Sequence, residues 1–152
     1  LAGEMLVRES GARSLILRLS WVFGPGRQNF VRKLMEWAKG GGALRIVDDE
    51  ISVPTYTEDV VDVTLKALEK GLFGVYHLVN SGFCSRYDWA AAVLKELNLG
   101  NKLEKVSSAS FDLPARRPAF SAMSNRKISE QLGLDIRDWR EAVTAYLRKN
   151  DV

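Results

Sequence analysis

The segment 14–39 constrains the fold more than any other part of this chain of 152 residues. It begins with a nearly continuous apolar run at 14–23, passes through a Gly-Pro-Gly loop at 24–26, and continues as apolar residues at helical spacing up to a glycine triplet at 40–42. An apolar run without alternation is typical of a strand that is covered on both faces. A strand, a tight loop and a helix start in succession predict an α/β fold with a ligand-binding corner at the strand's end.

Similar patterns along the chain predict the remaining elements. In chain order these are a helix at 1–10, a strand at 43–47, an extended piece at 51–57, a helix at 57–70, a strand at 74–80, a helix at 86–97, a strand at 103–108, and helices at 124–133 and 138–150. We expect Thr57 to cap the helix that follows it, and Ser85 with Asp88 to form a capping box. The last helix is expected to bury one apolar face, made of Trp139, Ala142, Val143, Tyr146 and Leu147.

Composition and charge exclude several classes of protein. The formal net charge is only +3, which is too small a basic excess to indicate a nucleic-acid partner. No apolar run approaches the roughly 18 residues of a membrane span. The only cysteine, Cys84, cannot form a disulfide within the chain, which favours a reducing compartment and most simply the cytoplasm.

The usual catalytic and metal-binding signatures are missing. The sequence contains no glycine-rich dinucleotide fingerprint, no phosphate-binding loop signature and no H-E-x-x-H. The single histidine, His77, and Cys84 are interpreted as structural residues, so we predict no catalytic residue. For the acidic run 48–50 an exposed turn is favoured over a metal site, because a divalent metal would need further converging ligands.

Three sets of side chains are candidates for binding a ligand, each with a structural alternative. Trp21 stands at the carboxyl end of a probable parallel strand and suits a flat ring or a sugar, although a core tryptophan is equally compatible. Asn29 either caps the helix or lies at a terminus that attracts phosphate. Arg116 and Arg117, between two prolines, suit a diphosphate, and the alternative is a pair of solvated surface arginines.

Seven segments together resemble the C-terminal half of the dTDP-4-dehydrorhamnose reductases, a family of extended short-chain dehydrogenases/reductases. They are LAGE, RLSWVFGPG, QNFVRKL, VDDEISVPTYTEDV, GVYHLVNSG, LPARRPAFSAMSNRK and DWREAVTAYL, in the family's order over essentially the whole chain. The resemblance implies that residues 1–152 are the C-terminal, substrate-binding part of a Rossmann-like NAD(P)-binding reductase. It also implies that the catalytic Tyr-x-x-x-Lys pair and the N-terminal cofactor-binding half would precede Leu1.

The resemblance also implies roles for individual residues. The family reduces the 4-keto group of a dTDP-sugar with hydride from NADPH or NADH, and this chain would supply the sugar-nucleotide side of the site. Carried over residue by residue, the implied roles are nicotinamide proximity for Ser20, a deoxysugar contact for Trp21, nucleotide contacts for Asn29 and Phe30, and diphosphate contacts for Arg116 and Arg117.

Three positions depart from the family's pattern. Phe23 stands where a tyrosine is usual, and Glu50 and Ser52 stand where the family usually has glutamine and glycine. A carboxylate at position 50 would disfavour an anionic ligand unless a cation pairs with it. Two other readings stay open: a non-catalytic regulatory subunit on the same scaffold, as in the beta subunit of methionine adenosyltransferase, and a reductase or epimerase for another nucleotide sugar.

Two further expectations concern residues 1–152 by themselves. Without the cofactor-binding half they are expected to be inactive. Elements that would pack on that half are expected to expose apolar surface and an unpaired sheet edge, so we also expect self-association.

Overall fold

The computed structural model describes residues 2–26, 28–111 and 117–150. The helices in these ranges are α1 (Ala2–Glu9), α2 (Phe30–Ala38), α3 (Thr57–Glu69), α4 (Arg86–Glu96), α5 (Arg126–Leu132) and α6 (Trp139–Lys149), with a 3-10 turn at Ser108–Ser110. The strands are β1 (Leu15–Arg18), β2 (Val22–Phe23), β3 (Leu44–Val47), β4 (Ile51–Ser52), β5 (Thr55–Tyr56), β6 (Gly74–His77), β7 (Cys84–Ser85) and β8 (Leu103–Val106).

The strands pair mainly in parallel, as the apolar runs predicted. β1 pairs with β6, β2 with β5 and β3 with β8, all parallel, whereas β4 pairs antiparallel with β7. Parallel pairs need a crossover between their strands, and helices occupy those connections here. The predicted α/β class is therefore confirmed.

The predicted strand at 14–23 is wrong in one respect, because it is interrupted at Trp21. β1 ends at Arg18, β2 begins at Val22, and Trp21 has a positive φ of 37°. This left-handed region is sparsely populated by bulky side chains. The backbone therefore turns at Trp21, and the carbonyl of that residue accepts a hydrogen bond from the Thr55 amide at 3.2 Å.

The start of α3 also differs from the prediction. The N-cap residue is Tyr56, without a side-chain capping bond, and Thr57 is the first helical residue. The Thr57 side chain packs instead against Gly24, where an added Cβ would lie 2.0 Å from the threonine Oγ1. The glycine at position 24 is thus required by the close approach of the loop to this helix.

Two apolar clusters form the core. The larger one contains the whole predicted apolar face of α6, together with Trp89 and Val93 of α4 and Phe23 of β2. The smaller one joins Tyr76 of β6 to its neighbours Val63, Leu78, Ile128 and Ile136. The predicted capping box at the start of α4 is confirmed, with Ser85 and Asp88 bonded to each other's backbone.

Some helices keep apolar side chains on the surface. α1 buries none of its residues, and Leu6 in it is 68% exposed. In α3, Val61, Leu65 and Leu68 are each more than half exposed. Among the described residues no helix has the length and apolar character that crossing a membrane requires.

Candidate functional site

A cleft of about 710 Å³ lies at the corner formed by the start of α2, strand β3 and the first residue of α4. Its lining includes Asn29 and Phe30 at the helix start, Leu44 and Ile46 of β3, and a set of charged side chains. Among the described residues those charged side chains are Lys33, Arg45, Glu50, Arg86 and Arg117. Cations outnumber the single carboxylate, so the cleft favours an anionic ligand.

Glu50 and Arg86 form a buried ion pair at the inner wall of this cleft. The Arg86 Nε donates to Glu50 Oε2 at 3.1 Å, and Glu50 is only 6% exposed. Arg117 approaches the same oxygen at 3.8 Å. The sequence-based expectation of an exposed turn is therefore wrong for Glu50, and its departure from the family's glutamine is compensated by two cations.

Burial affects the pKa of Arg86 as well. Desolvation lowers the pKa of this guanidinium below its usual value, and the hydrogen bond that it donates to Glu50 opposes that effect. Because a carboxylate left alone in such a place would be costly, each member of the pair depends on the other.

Aromatic rings support the guanidinium of Arg86. Its central carbon lies 4.3 Å from the centroid of the Trp21 ring and 5.6 Å from that of Phe30. The Trp21 ring is stacked on Trp89 at 5.7 Å with an interplanar angle of 9°, and Phe30 lies 4.7 Å from Trp89. Arg86 thus lies between an aromatic base and the open cleft, and it covers part of the Trp21 surface predicted to meet a sugar.

Asn29 has the capping role that was one of its two interpretations. Its side-chain oxygen accepts from the Arg32 amide at 3.0 Å, and its amide group donates to the carbonyls of Gly24 at 2.9 Å and Gly26 at 3.0 Å. The side chain is 8% exposed. It therefore joins the Gly-Pro-Gly loop to α2, and Asn29 is also one of the residues that line the cleft.

Ser20, another predicted site residue, is not among the described residues that line the cleft. The Ser20 hydroxyl is hydrogen bonded to the hydroxyl of Ser52, which in turn donates to the Ser121 carbonyl at 3.2 Å. Arg116 lies outside the described residues. Of the predicted set, the structure therefore brings together Trp21, Asn29, Phe30 and Arg117, with Arg86 at the centre.

The two aspartates beside Glu50 have structural partners. Asp48 accepts from the Ser85 hydroxyl at 2.7 Å and pairs with Lys105 at 2.9 Å, while Asp49 accepts from Ser107 and Ser108 of the 3-10 turn. Desolvation alone would raise the pKa of Asp48, but the bonds from Lys105 and Ser85 bring it below its usual value. Within the described ranges no three acidic, histidine or cysteine side chains are grouped as a metal site.

Cys84 is buried in the core, as its interpretation as a small apolar residue predicted. Desolvation raises the pKa of its thiol to about 12. The thiol is therefore protonated at neutral pH and is not a nucleophile.

The sequence lacks one element that commonly binds a nicotinamide dinucleotide. The sequence has no glycine-rich loop of the kind that approaches a pyrophosphate, and the Ser20 hydroxyl already has a partner. We therefore assign no chemical step through the cofactor to these residues.

Sequence reasoning missed Arg86, although one local signal was available. Arg86 is the first residue of α4, where the helix dipole favours acidic side chains and disfavours cations. A cation there indicates a compensating partner elsewhere in the fold. The partner, Glu50, lies 36 residues earlier in the chain, so only the folded chain identifies it.

Comparison with known proteins gives consistent results. The family described as RmlD substrate binding domain matches residues 1–152. The spore coat polysaccharide biosynthesis protein SpsK of Bacillus subtilis is 39% identical over 147 residues, which cover 97% of this chain and 51% of that protein. The dTDP-4-dehydrorhamnose reductase of Escherichia coli is 34% identical over 160 residues, covering 98% of this chain and 54% of that protein.

Solved structures give the same assignment. The crystal structure of a dTDP-4-dehydrorhamnose reductase from Bacillus anthracis, in complex with NADP, has a TM-score of 0.92 at 28% identity and covers 97% of this chain and 53% of that one. An orthologous reductase from Clostridium acetobutylicum also has a TM-score of 0.92, at 29% identity, with 99% of this chain and 53% of that one covered. The chain thus spans about half the length of the relatives it matches.

Proposed function

Because this chain belongs to the RmlD substrate-binding-domain family, we propose that it is the sugar-nucleotide-binding part of an NAD(P)H-dependent dTDP-4-dehydrorhamnose reductase. The observation that carries the proposal is the cationic cleft, in which Arg86 and Arg117 converge on one buried carboxylate above aromatic rings. A nucleotide sugar has a diphosphate that such arginines bind and flat or apolar faces that aromatic rings contact.

In this proposal the residues of the chain bind and orient the substrate, and other residues perform the reduction. Residues 1–152 contain no Tyr-x-x-x-Lys sequence and no glycine-rich dinucleotide loop. NADPH or NADH would supply the hydride, from a part of the site that this chain does not form alone. Trp21 would contact the deoxysugar, and Phe30 and the backbone of Asn29 would contact the nucleotide. Arg116 and Arg117 would bind the diphosphate, and Ser20 would lie nearest the nicotinamide.

The experiment is a reductase assay on the intact gene product that contains this chain. We expect NADPH or NADH absorbance to fall when dTDP-4-dehydro-L-rhamnose is added, and dTDP to inhibit the reaction. Residues 1–152 produced alone should bind dTDP without oxidising the cofactor. Turnover by those residues alone would contradict the proposal that they bind the substrate while other residues perform the reduction.

The alternatives have distinct outcomes in the same assay. A regulatory subunit on this scaffold would bind a nucleotide without turnover in the intact gene product. A reductase or epimerase for another nucleotide sugar would respond to UDP- or GDP-sugars instead of the dTDP-sugar.

We also propose that residues 1–152 produced alone self-associate. The support is the exposed apolar surface of α1 and α3, including Leu6, Val61 and Leu65. Light scattering coupled to size exclusion should give a mass that rises with concentration. A monomer mass across the whole concentration range would refute this.

A further inference from the structure

Resting on the proposed function, we propose that Arg86 is a phosphate-binding residue of the nucleotide-sugar site and that Glu50 holds it in position. None of the family-based assignments includes Arg86. Arg86 lines the cleft, its guanidinium is held against aromatic rings, and Glu50 pairs with both Arg86 and Arg117.

The guanidinium of Arg86 has more donors than its contacts in the described part of the chain use. A guanidinium carries five N–H donors in a planar fork. Glu50 accepts from the Nε of Arg86 at 3.1 Å, and the terminal N–H groups have no acceptor among residues 2–26, 28–111 and 117–150. The side chain is 19% exposed and lines the cleft, so its guanidinium is accessible to a ligand that binds there.

The guanidinium of Arg86 is held by an ion pair and by aromatic rings. Glu50 bonds one edge of it, and the rings of Trp21 and Phe30 lie against it at 4.3 and 5.6 Å. Both kinds of contact restrict the long side chain before any ligand arrives. A donor fixed in advance loses less conformational freedom on binding than a mobile surface arginine does.

Two arginines pair with Glu50, and they differ in distance and burial. Arg117 is about half exposed and lies 3.8 Å from the carboxylate, which is the limit of an ion pair, whereas Arg86 is closer and mostly buried. A phosphate in the cleft would therefore draw Arg117 away from Glu50 and leave Arg86 paired. In this arrangement Glu50 neutralises part of the charge of the empty cleft, and both guanidinium groups meet the diphosphate in the occupied one.

The experiment compares a nucleoside diphosphate with its nucleoside in the intact gene product. Calorimetric titrations with dTDP and thymidine, and with the UDP–uridine and GDP–guanosine pairs, separate the phosphate contribution from that of the base. Arg86→Met should weaken the binding of the diphosphate by roughly 10- to 100-fold, the range of a charge-assisted hydrogen bond. Binding of the matching nucleoside should change by less than about threefold, because no phosphate is involved.

A second background removes the structural role of Arg86. Arg86→Met alone leaves the Glu50 carboxylate with only Arg117 as a counter-charge and can destabilise the fold. In a Glu50→Gln background there is no carboxylate to neutralise, so adding Arg86→Met should leave the melting temperature at or above that of Glu50→Gln alone. The diphosphate affinity should nevertheless stay about 10-fold or more below that of Glu50→Gln.

The matched control is Arg126→Met, which removes an exposed arginine paired with Glu130 away from the cleft. It should leave both affinities unchanged. The inference is overturned if Arg86→Met in the Glu50→Gln background binds the diphosphate as tightly as Glu50→Gln, or if diphosphate and nucleoside lose affinity equally. A wild-type protein that binds UDP or GDP but not dTDP overturns the proposed substrate and still tests Arg86, and one that binds no nucleoside diphosphate overturns both.

Discussion

Replacing Asn29 by alanine should reveal whether this residue stabilises the loop or binds the ligand. The side chain forms three hydrogen bonds in a place that is 8% exposed, one as the N-cap of α2 and two to the carbonyls of Gly24 and Gly26. Loss of an asparagine cap costs about 0.5–2 kcal/mol. Each lost bond to a loop carbonyl adds about 0.5–1.5 kcal/mol.

Asn29→Ala should therefore lower the free energy of unfolding by about 2–4 kcal/mol. The bond to Gly24 contributes more than the bond to Gly26, because Gly24 is buried whereas the Gly26 carbonyl can bond to water instead. Asn29→Ser keeps a good capping oxygen and loses only the loop bonds, so about 1–2 kcal/mol is expected. Urea denaturation of the intact gene product, followed by tryptophan fluorescence, measures these differences. Asn101→Ala, which removes a single side-chain bond to the Ala38 carbonyl, is the matched control and should cost about 1 kcal/mol.

The ligand affinity decides between the two roles of Asn29. If the side chain stabilises the fold and does not contact the ligand, Asn29→Ser should bind dTDP nearly as the wild type does. A structural role for Asn29 is refuted if the free energy of unfolding of Asn29→Ala differs from that of the wild type by less than about 0.5 kcal/mol while its dTDP dissociation constant rises 10-fold or more. That result would make the amide a direct ligand contact.

Three further predictions concern other parts of the fold. Gly24→Ala should destabilise the protein strongly in thermal denaturation, because the new methyl group meets Thr57, and Thr57→Ala in the same chain should recover part of the loss. The pKa of Asp48 is lower in the folded protein than in the unfolded chain, where it is about 4. The Asp48 carboxylate therefore adds to the free energy of unfolding above that pH, and this contribution is lost as the pH falls below it. Urea denaturation midpoints should therefore fall less in Asp48→Asn than in the wild type between pH 6 and pH 3, which lie about two units above and one unit below that pKa. An equal fall of the midpoint in both proteins would contradict this. Cys84 should react with a thiol reagent in the native protein far more slowly than in urea, and equal rates would contradict its burial.

Local patterns predicted the elements whose stability depends on near neighbours in the chain. The five apolar residues of the last predicted helix are all buried in α6, and the Ser85–Asp88 capping box is present. Both features repeat over three or four residues, the spacing of one helical turn, so they can be recognised in the sequence. Asn29 likewise caps α2, which is one of the two roles predicted for it.

Short-range reasoning failed where a distant segment changes the local preference. The apolar run 14–23 predicted one strand, but the chain turns at Trp21, whose φ of 37° no propensity indicates. The Thr57 side chain packs on Gly24 of the Gly-Pro-Gly loop that precedes α2. A threonine before two acidic residues gives no sign of that contact in the sequence.

The sequence by itself determined the α/β class, most of the helices and strands, and the corner at Arg18–Phe30 where a ligand-binding site was expected. Only the tertiary structure decided what that corner contains. It placed Arg86 over Trp21 and beside Glu50, and it used the Asn29 side chain to hold the loop. Periodicity and capping act over a few residues, whereas an ion pair between positions 50 and 86 exists only after the chain has folded.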